Sequence, residues 1–244
     1  MNVFIFGISG RMGCALTEAA AAKGYTVTGG FDKIAHPSLP TFTSADAIDV
    51  DYDVIIDFSL PATLDSVITA ALRKKTPVVI ATTGYSQAEA EKIRKLSESV
   101  PVLRSGNMSV GVNVMLELVE RAVKALGEGY DVEIVEKHHN MKADAPSGTA
   151  VMLADAAAKA RGGAKYVYGR EGKHLREREE IGIHAVRGGT IVGEHDVIFA
   201  GKDETLTVSH TALSRKIFAE GAFRAAEFLM SAKPGLYSMR DALR

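Results

Sequence analysis

The chain has 244 residues, enough for one large domain or two small ones. Apolar residues make up 46% and charged residues 24%, an ordinary globular balance, and a net charge of −1 leaves no global field to gather nucleic acid or an anionic membrane. The single cysteine, Cys14, excludes an intrachain disulfide and a cysteine zinc cluster, and suits a reducing compartment.

Low aromatic content and the absence of Trp argue against a stacking platform for single-stranded nucleic acid. No basic leader precedes the first apolar run, and no run approaches the roughly 20 residues that span a bilayer. A cytoplasmic protein with neither membrane nor nucleic-acid partners is expected.

Short apolar runs alternate with helical patterns through the first part of the chain. Strands are expected at 3–6, 25–31, 53–58, 77–81 and 100–104. Helices are expected at 12–23, 60–75 and 86–99, with Gly24 as a C-terminal stop and Pro61 in a first turn. This alternation implies a parallel sheet with right-handed crossovers, covered on both faces.

After about Gly106 the rhythm changes. A long helix at 110–126 is followed by a strand at 131–137 and an Ala-rich helix at 147–161. A charged, Gly-bearing segment at 162–178 reads as a mobile loop. Runs at 181–187, 190–200 and 204–210 then alternate with period 2, and the Gly-Gly and Lys-Asp turns between them suggest successive hairpins. The fold class is therefore α/β: a Rossmann-type parallel sheet with a second, α+β domain carrying a mixed or antiparallel sheet. A dinucleotide-binding domain of residues 1–109, completed by 215–244, is expected beside a substrate-binding and oligomerisation domain of 110–214. A last helix at 218–230 is expected to pack back on the first domain.

Gly7-Ile8-Ser9-Gly10-Arg11-Met12-Gly13 joins the first strand to the first helix. Gly7 permits the tight turn, Gly10 lets backbone approach a pyrophosphate, and Gly13 lets the helix pack close to the sheet. Free N–H groups at the helix start favour an anion. The spacing G-x-x-G-x-x-G is one residue longer at the front than the usual fingerprint, and its place between strand and helix gives it weight. Asp32, about 20 residues further on, sits where a carboxylate accepts from the adenosine ribose. Its charge favours NADH over NADPH. Lys33 beside it is placed to offset this but also fits a plain solvated surface charge, so NADH preference with NADPH tolerated is expected.

Two further loops fall at strand C-termini, where ligands bind in open α/β sheets. Ala81-Thr82-Thr83 and Ser105-Gly106-Asn107-Met108 offer backbone groups to the nicotinamide end, although both also fit plain strand-to-helix turns. The Phe58-Ser59-Leu60-Pro61 loop is ambiguous in the same way.

The densest polar stretch runs from Glu136 to Thr149. His138, His139 and Lys142 fall within five residues. An imidazole passes protons at working pH, and a lysine near other cations is a usable acid. Ser147 is a good N-cap, after which the amides of Gly148 and Thr149 suit a carboxylate. The segment reads as a receptor for an anionic substrate with a proton donor beside it. A turn and a cap alone would also account for residues 144–148. The His-His pair has no second cluster with ligand spacing, so no metal is expected.

Gly7-x-x-Gly10-Arg11-Met12-Gly13, Ala81-Thr82-Thr83-Gly84 and His138-His139-x-x-Lys142-x-Asp144-Ala145-Pro146-Ser147-Gly148-Thr149-Ala150 resemble the 4-hydroxy-tetrahydrodipicolinate (dihydrodipicolinate) reductase family. So do Arg187-x-Gly-x-Ile-Val-Gly193-Glu194-His195 and the region 214–222. The matches run in order and cover essentially the whole chain. The resemblance implies hydride transfer from NAD(P)H to a cyclic dicarboxylate in lysine and diaminopimelate biosynthesis, by a homotetramer whose second-domain sheet forms the interface. It implies His138 as proton donor/acceptor and Lys142 as proton donor. It implies substrate contacts from His139, Gly148 and Thr149. Cofactor contacts are implied for Gly7 to Met12, Asp32, Ala81 to Thr83 and Ser105 to Met108. Ala81 stands where the family commonly has Gly, and Asn140-Met141 where more basic residues are common. The second departure weakens the local positive field, which bears on substrate affinity rather than on reaction class.

Overall fold

Apolar runs too short to cross a domain as helices pair side by side in the computed structural model, which describes all 244 residues. In chain order the elements begin β1 (Asn2–Phe6), α1 (Arg11–Ala22), β2 (Thr26–Phe31), β3 (Thr41–Phe42), β4 (Val54–Asp57) and α2 (Leu64–Lys74). They continue with β5 (Val78–Ile80), α3 (Gln87–Ser97), β6 (Pro101–Arg104), α4 (Val110–Leu126), β7 (Asp131–His138), α5 (Gly148–Arg161) and β8 (Lys165–Tyr168). The last are β9 (Glu180–Arg187), β10 (Gly193–Ala200), β11 (Thr205–Ala212), α6 (Lys216–Leu229), β12 (Gly235–Tyr237) and α7 (Met239–Ala242). The chain divides into two units, Met1–Val110 with Arg215–Arg244, and Gly111–Ser214.

The first unit holds a seven-stranded, wholly parallel sheet in the order β12-β6-β5-β4-β1-β2-β3. Alternation along the strands sends side chains to opposite faces. Val3, Ile5, Val54, Ile56 and Val79 pack with Leu16 of α1 and with Ala222, Phe223 and Leu229 of α6. Phe4, Phe6, Ile55, Val78 and Ile80 pack with Val67 and Ala70 of α2 and with Ile93 and Leu96 of α3. Both faces are thus covered, which explains the unbroken apolar runs. The last long helix lies on this unit, on the same face as α1. A capping box at Ser86 and Glu89 starts α3, and a short 3₁₀ turn at Pro61–Thr63 precedes α2.

The second unit holds a five-stranded mixed sheet, β11-β10-β7-β9-β8. One face is covered by α4 and α5, where Met115, Val119, Leu153 and Ala157 meet Ile134, Ile183, Val197 and Phe199. Two expectations are corrected here. The Gly188-Gly189 turn does not close a hairpin: β7 lies between β9 and β10, antiparallel to β10 and parallel to β9. The turn instead folds over the end of β7, with Gly188 N–H donating to His138 O and Asn140 N–H to Gly189 O. The expected loop at 162–178 contains β8, which pairs in parallel with β9. Arg176 also ties it down, through Asp131 at 2.7 Å and Glu133 at 3.0 Å. The Lys202-Asp203 turn does close a hairpin, between β10 and β11.

Candidate active site

The loop after β1 turns on Gly7, which adopts φ +83°; a Cβ there would lie 2.6 Å from the Phe58 carbonyl. Gly10 is the N-cap of α1, and its N–H donates to Gly7 O. Asp32 follows β2 and is half-buried. Its Oδ2 accepts from Ser9 N–H at 3.0 Å, and its Oδ1 from Lys33 N–H at 2.7 Å, which locks the loop to the carboxylate. Ser9 Oγ donates to Ile34 O. A cavity of about 270 Å³ opens here, lined by Gly7, Gly10, Asp32, Lys33, Phe58 and Ser59 among others. A bare backbone turn, a helix start and a fixed carboxylate around one cavity fit an adenine dinucleotide. The Phe58-Ser59-Leu60 loop, ambiguous in sequence, lines the same cavity.

Among the other residues expected to touch cofactor, Ile8 and Met108 have buried side chains packed in the core, so only their backbone is available. Arg11 is exposed and Met12 packs partly against the core. Ala81 N–H is committed to Asp57 O, Thr82 is buried and Thr83 exposed. Ser105 and Asn107 bond each other, Ser105 Oγ donating to Asn107 O at 2.7 Å, which folds the loop around exposed Gly106. One residue not singled out from sequence is Asp57, a fully buried carboxylate at the end of β4. It accepts from Ser59 N–H and Oγ and from Tyr85 OH, and so ties the β4 and β5 loops together. Burial pushes its carboxyl up from the ordinary range, with the hydroxyl and amide donors opposing.

In the second unit the polar segment closes on itself around Glu136. This carboxylate is wholly buried. Arg187 grips it through Nη1 and Nη2 at 2.7 Å each, His138 Nδ1 lies 2.6 Å from Oε2, and Ser147 N–H donates to Oε1 at 2.9 Å. Burial alone would raise the Glu136 carboxyl; the Arg187, His138 and Ser147 donors outweigh it and hold it below the ordinary range. Burial lowers the His138 imidazole, opposed by Glu136 and reinforced by the charges of Lys142 and Arg187. His195 is buried, edge-on to His138, with Nε2 2.9 Å from Ser147 Oγ. Burial, and then His138, push it down to about 4, so it is neutral near pH 7.

Lys142 Nζ lies 2.8 Å from both oxygens of Asp144, and its N–H donates to His139 O. Ser147 caps α5 by accepting from Ala150 N–H, which makes Gly148 and Thr149 the first two helical residues. His139 is half-buried and Gly148 exposed. Sequence reasoning assigned no role to Glu136. The signal was there: period 2 puts Glu136 on the buried face of β7 with Val132 and Ile134, where a carboxylate needs a partner. No group of three or more His, Cys, Asp or Glu side chains is arranged to hold a metal ion.

Family models of the dihydrodipicolinate reductase N-terminus and C-terminus match residues 1–108 and 111–243. The chain belongs to the dihydrodipicolinate reductase family. It is 48% identical over 248 residues to a 4-hydroxy-tetrahydrodipicolinate reductase of Caldanaerobacter subterraneus subsp. tengcongensis, covering 100% of this chain and 98% of that one. It is 44% identical to one of Clostridium novyi, with the same coverage of both chains. A dipicolinate-bound dihydrodipicolinate reductase from Paenisporosarcina sp. TG-14 superposes with a TM-score of 0.82 at 23% identity, over 100% of this chain and 99% of that chain. At that identity the likeness concerns the fold. A myo-inositol dehydrogenase from Lactobacillus casei shares the fold more loosely, with a TM-score of 0.61 at 16% identity over 99% of this chain and 90% of that one. Reductases of this family are NAD(P)H-dependent, and the chain is an oxidoreductase.

Proposed function

We propose that the chain reduces 4-hydroxy-tetrahydrodipicolinate to tetrahydrodipicolinate with NADH or NADPH, in lysine and diaminopimelate biosynthesis. The observation that carries this reading is the cluster at the end of β7. There a partly buried imidazole, an ammonium and a capped helix start share one hydrogen-bonded frame. When bound, the nicotinamide supplies the hydride. The first unit then acts as the dinucleotide-binding domain and the second as the substrate-binding domain.

The substrate is a dianion in a protein of net charge −1, so it needs a local basic receptor. His139 and the amides of Gly148 and Thr149 take its carboxylates. Lys142 releases Asp144 to reach the substrate and donates a proton, with His138 as the second proton carrier; the net change is uptake of one hydride and one proton and departure of the 4-hydroxyl as water. His138→Ala and Lys142→Ala are expected to lower kcat by on the order of 100-fold or more while NADH affinity is unchanged. The assay is loss of NADH absorbance with freshly generated substrate; near-normal turnover in both variants overturns the assignment.

Asp32 favours NADH, because a 2′-phosphate at this cavity meets a fixed carboxylate, and Lys33 tempers that preference. The ratio of kcat/KM for the two cofactors tests it. Asp32→Asn is expected to shift the ratio toward NADPH, and a wild-type enzyme that strongly prefers NADPH refutes the role. Assembly as a homotetramer through the sheet of the second unit completes the reading; a monomeric mass by light scattering removes it. No helix is long and apolar enough to cross a membrane.

A further inference from the structure

We propose that Glu136 is a positioning residue for this reaction: it fixes His138 as the Nδ1–H tautomer and joins the imidazole, the cap of α5 and Arg187 through one carboxylate. The inference rests on the reading of His138 as a proton carrier.

A neutral imidazole carries one N–H and one lone pair, and its surroundings decide which nitrogen holds which. An ionised carboxylate only accepts. Glu136 Oε2, 2.6 Å from Nδ1, therefore calls for the proton on that nitrogen. Nε2 is left with its lone pair, available to take up or return a proton. Nε2 lies toward the backbone of Gly193, where a methyl group would come within 3.0 Å of it. The free side of the ring is thus flanked by a residue with no side chain.

The carboxylate is saturated by four donors, two on each oxygen: His138 Nδ1 and Arg187 Nη1 on Oε2, Ser147 N–H and Arg187 Nη2 on Oε1. With no solvent exposure, each of these bonds is costly to lose. Arg187 Nη2 also donates to the backbone carbonyl of Asp144 at 2.6 Å, and the Asp144 side chain holds Lys142. One continuous path, His138–Glu136–Arg187–Asp144–Lys142, therefore links the two proposed proton carriers. A shift at Glu136 displaces both of them, together with the helix start proposed to hold substrate.

The charged and titratable groups acting on His138 come from four elements. They are Glu136 on its own strand, Lys142 in the following loop, Arg187 on β9 and His195 on β10. Glu136 is the only anion of this set. Its replacement by a neutral isostere leaves the imidazolium facing Lys142 and Arg187 without compensation.

The test is a long-range ¹H–¹⁵N spectrum of the full-length enzyme, with His138 identified by the signals lost in His138→Gln. Neutral His138 in the wild type is expected as the Nδ1–H form; a dominant Nε2–H form overturns the proposal without any variant having to fold. In folded Glu136→Gln the titration midpoint of His138 is expected to fall. kcat drops by on the order of tenfold or more, while KM for NADH stays unchanged. An unmoved midpoint with wild-type kcat overturns the proposal. Inactive His138→Gln beside fully active Glu136→Gln overturns this inference alone. Active His138→Gln removes the catalytic reading beneath it as well.

Discussion

Gly13→Ala probes the proposed phosphate cradle through a single methyl group. Gly13 is the third residue of α1, within its first turn, and a Cβ there would lie 2.1 Å from the Ile8 carbonyl and 2.4 Å from that of Gly7. Both neighbours are backbone, so no flexible side chain can move aside. To restore an ordinary contact of 3.4 Å, the start of α1 has to retreat by about 1.3 Å from the loop. A retreat of this size breaks the alignment of the helix-start amides with a bound pyrophosphate. Hydrogen bonds to a charged group are worth about 1.5–3 kcal/mol each. Losing one or two of them weakens NADH on the order of 10- to 10⁴-fold, at tenfold per ~1.4 kcal/mol. Folding loses about 1–3 kcal/mol from the overpacking. Calorimetric titration of NADH, with thermal unfolding of the same sample, measures both. A folded variant whose Kd stays within about threefold of wild type would falsify the argument that α1 and the Gly7 turn hold the pyrophosphate.

Arg187→Met removes one side of a buried ion pair and is expected to cost about 3–5 kcal/mol near neutral pH. In the wild type the Glu136 carboxyl is held low. Its contribution is therefore present above the ordinary carboxylate range and lost only as pH falls through its depressed value. In the variant burial dominates and the carboxyl is raised, so protonation relieves the cost. The stability gap between the two proteins narrows on going from about pH 8 to about pH 5 in denaturant unfolding, and a constant or widening gap contradicts this. Asp57→Asn acts on a carboxyl that burial raises, whose cost grows as pH rises above the ordinary value of 3.8. Wild-type stability then falls more steeply than the variant's between about pH 4 and pH 8; equal slopes refute the assignment. Ser147→Ala removes the acceptor for Ala150 N–H and the hydroxyl partner of buried His195 Nε2, costing about 1–3 kcal/mol. It also raises KM for the dicarboxylate but not for NADH, and an unchanged substrate KM counts against α5 as the carboxylate receptor.

Local pattern was enough for the parallel sheet and its helices. Val3, Ile5 and Val54 sit in unbroken apolar runs because both faces of their strands are covered, and that is a property of composition that can be read directly. The helix at Val110–Leu126 and the cap at Ser147 were legible for the same reason: periodicity and capping act within a few residues. The edge strands β3 and β12 were not, because two or three residues acquire strand geometry only by docking on a neighbour. Neither was the order of the second sheet. A Gly-Gly turn permits a hairpin, but whether β9 pairs with β10 or with β7 depends on which strand fills the slot between them.

The same division runs through the candidate site. His138, Lys142 and the Gly148-Thr149 helix start lie within one segment, so a cluster of titratable groups beside a helix start could be read from spacing, while their separate roles followed only from the family resemblance. The partners that set their state could not. Arg187 is 51 residues from Glu136, and His195 is 48 from Ser147. A salt bridge or tautomer is decided by which charges share a few ångströms of low-dielectric space, and β-sheet pairing brings those together regardless of their distance along the chain.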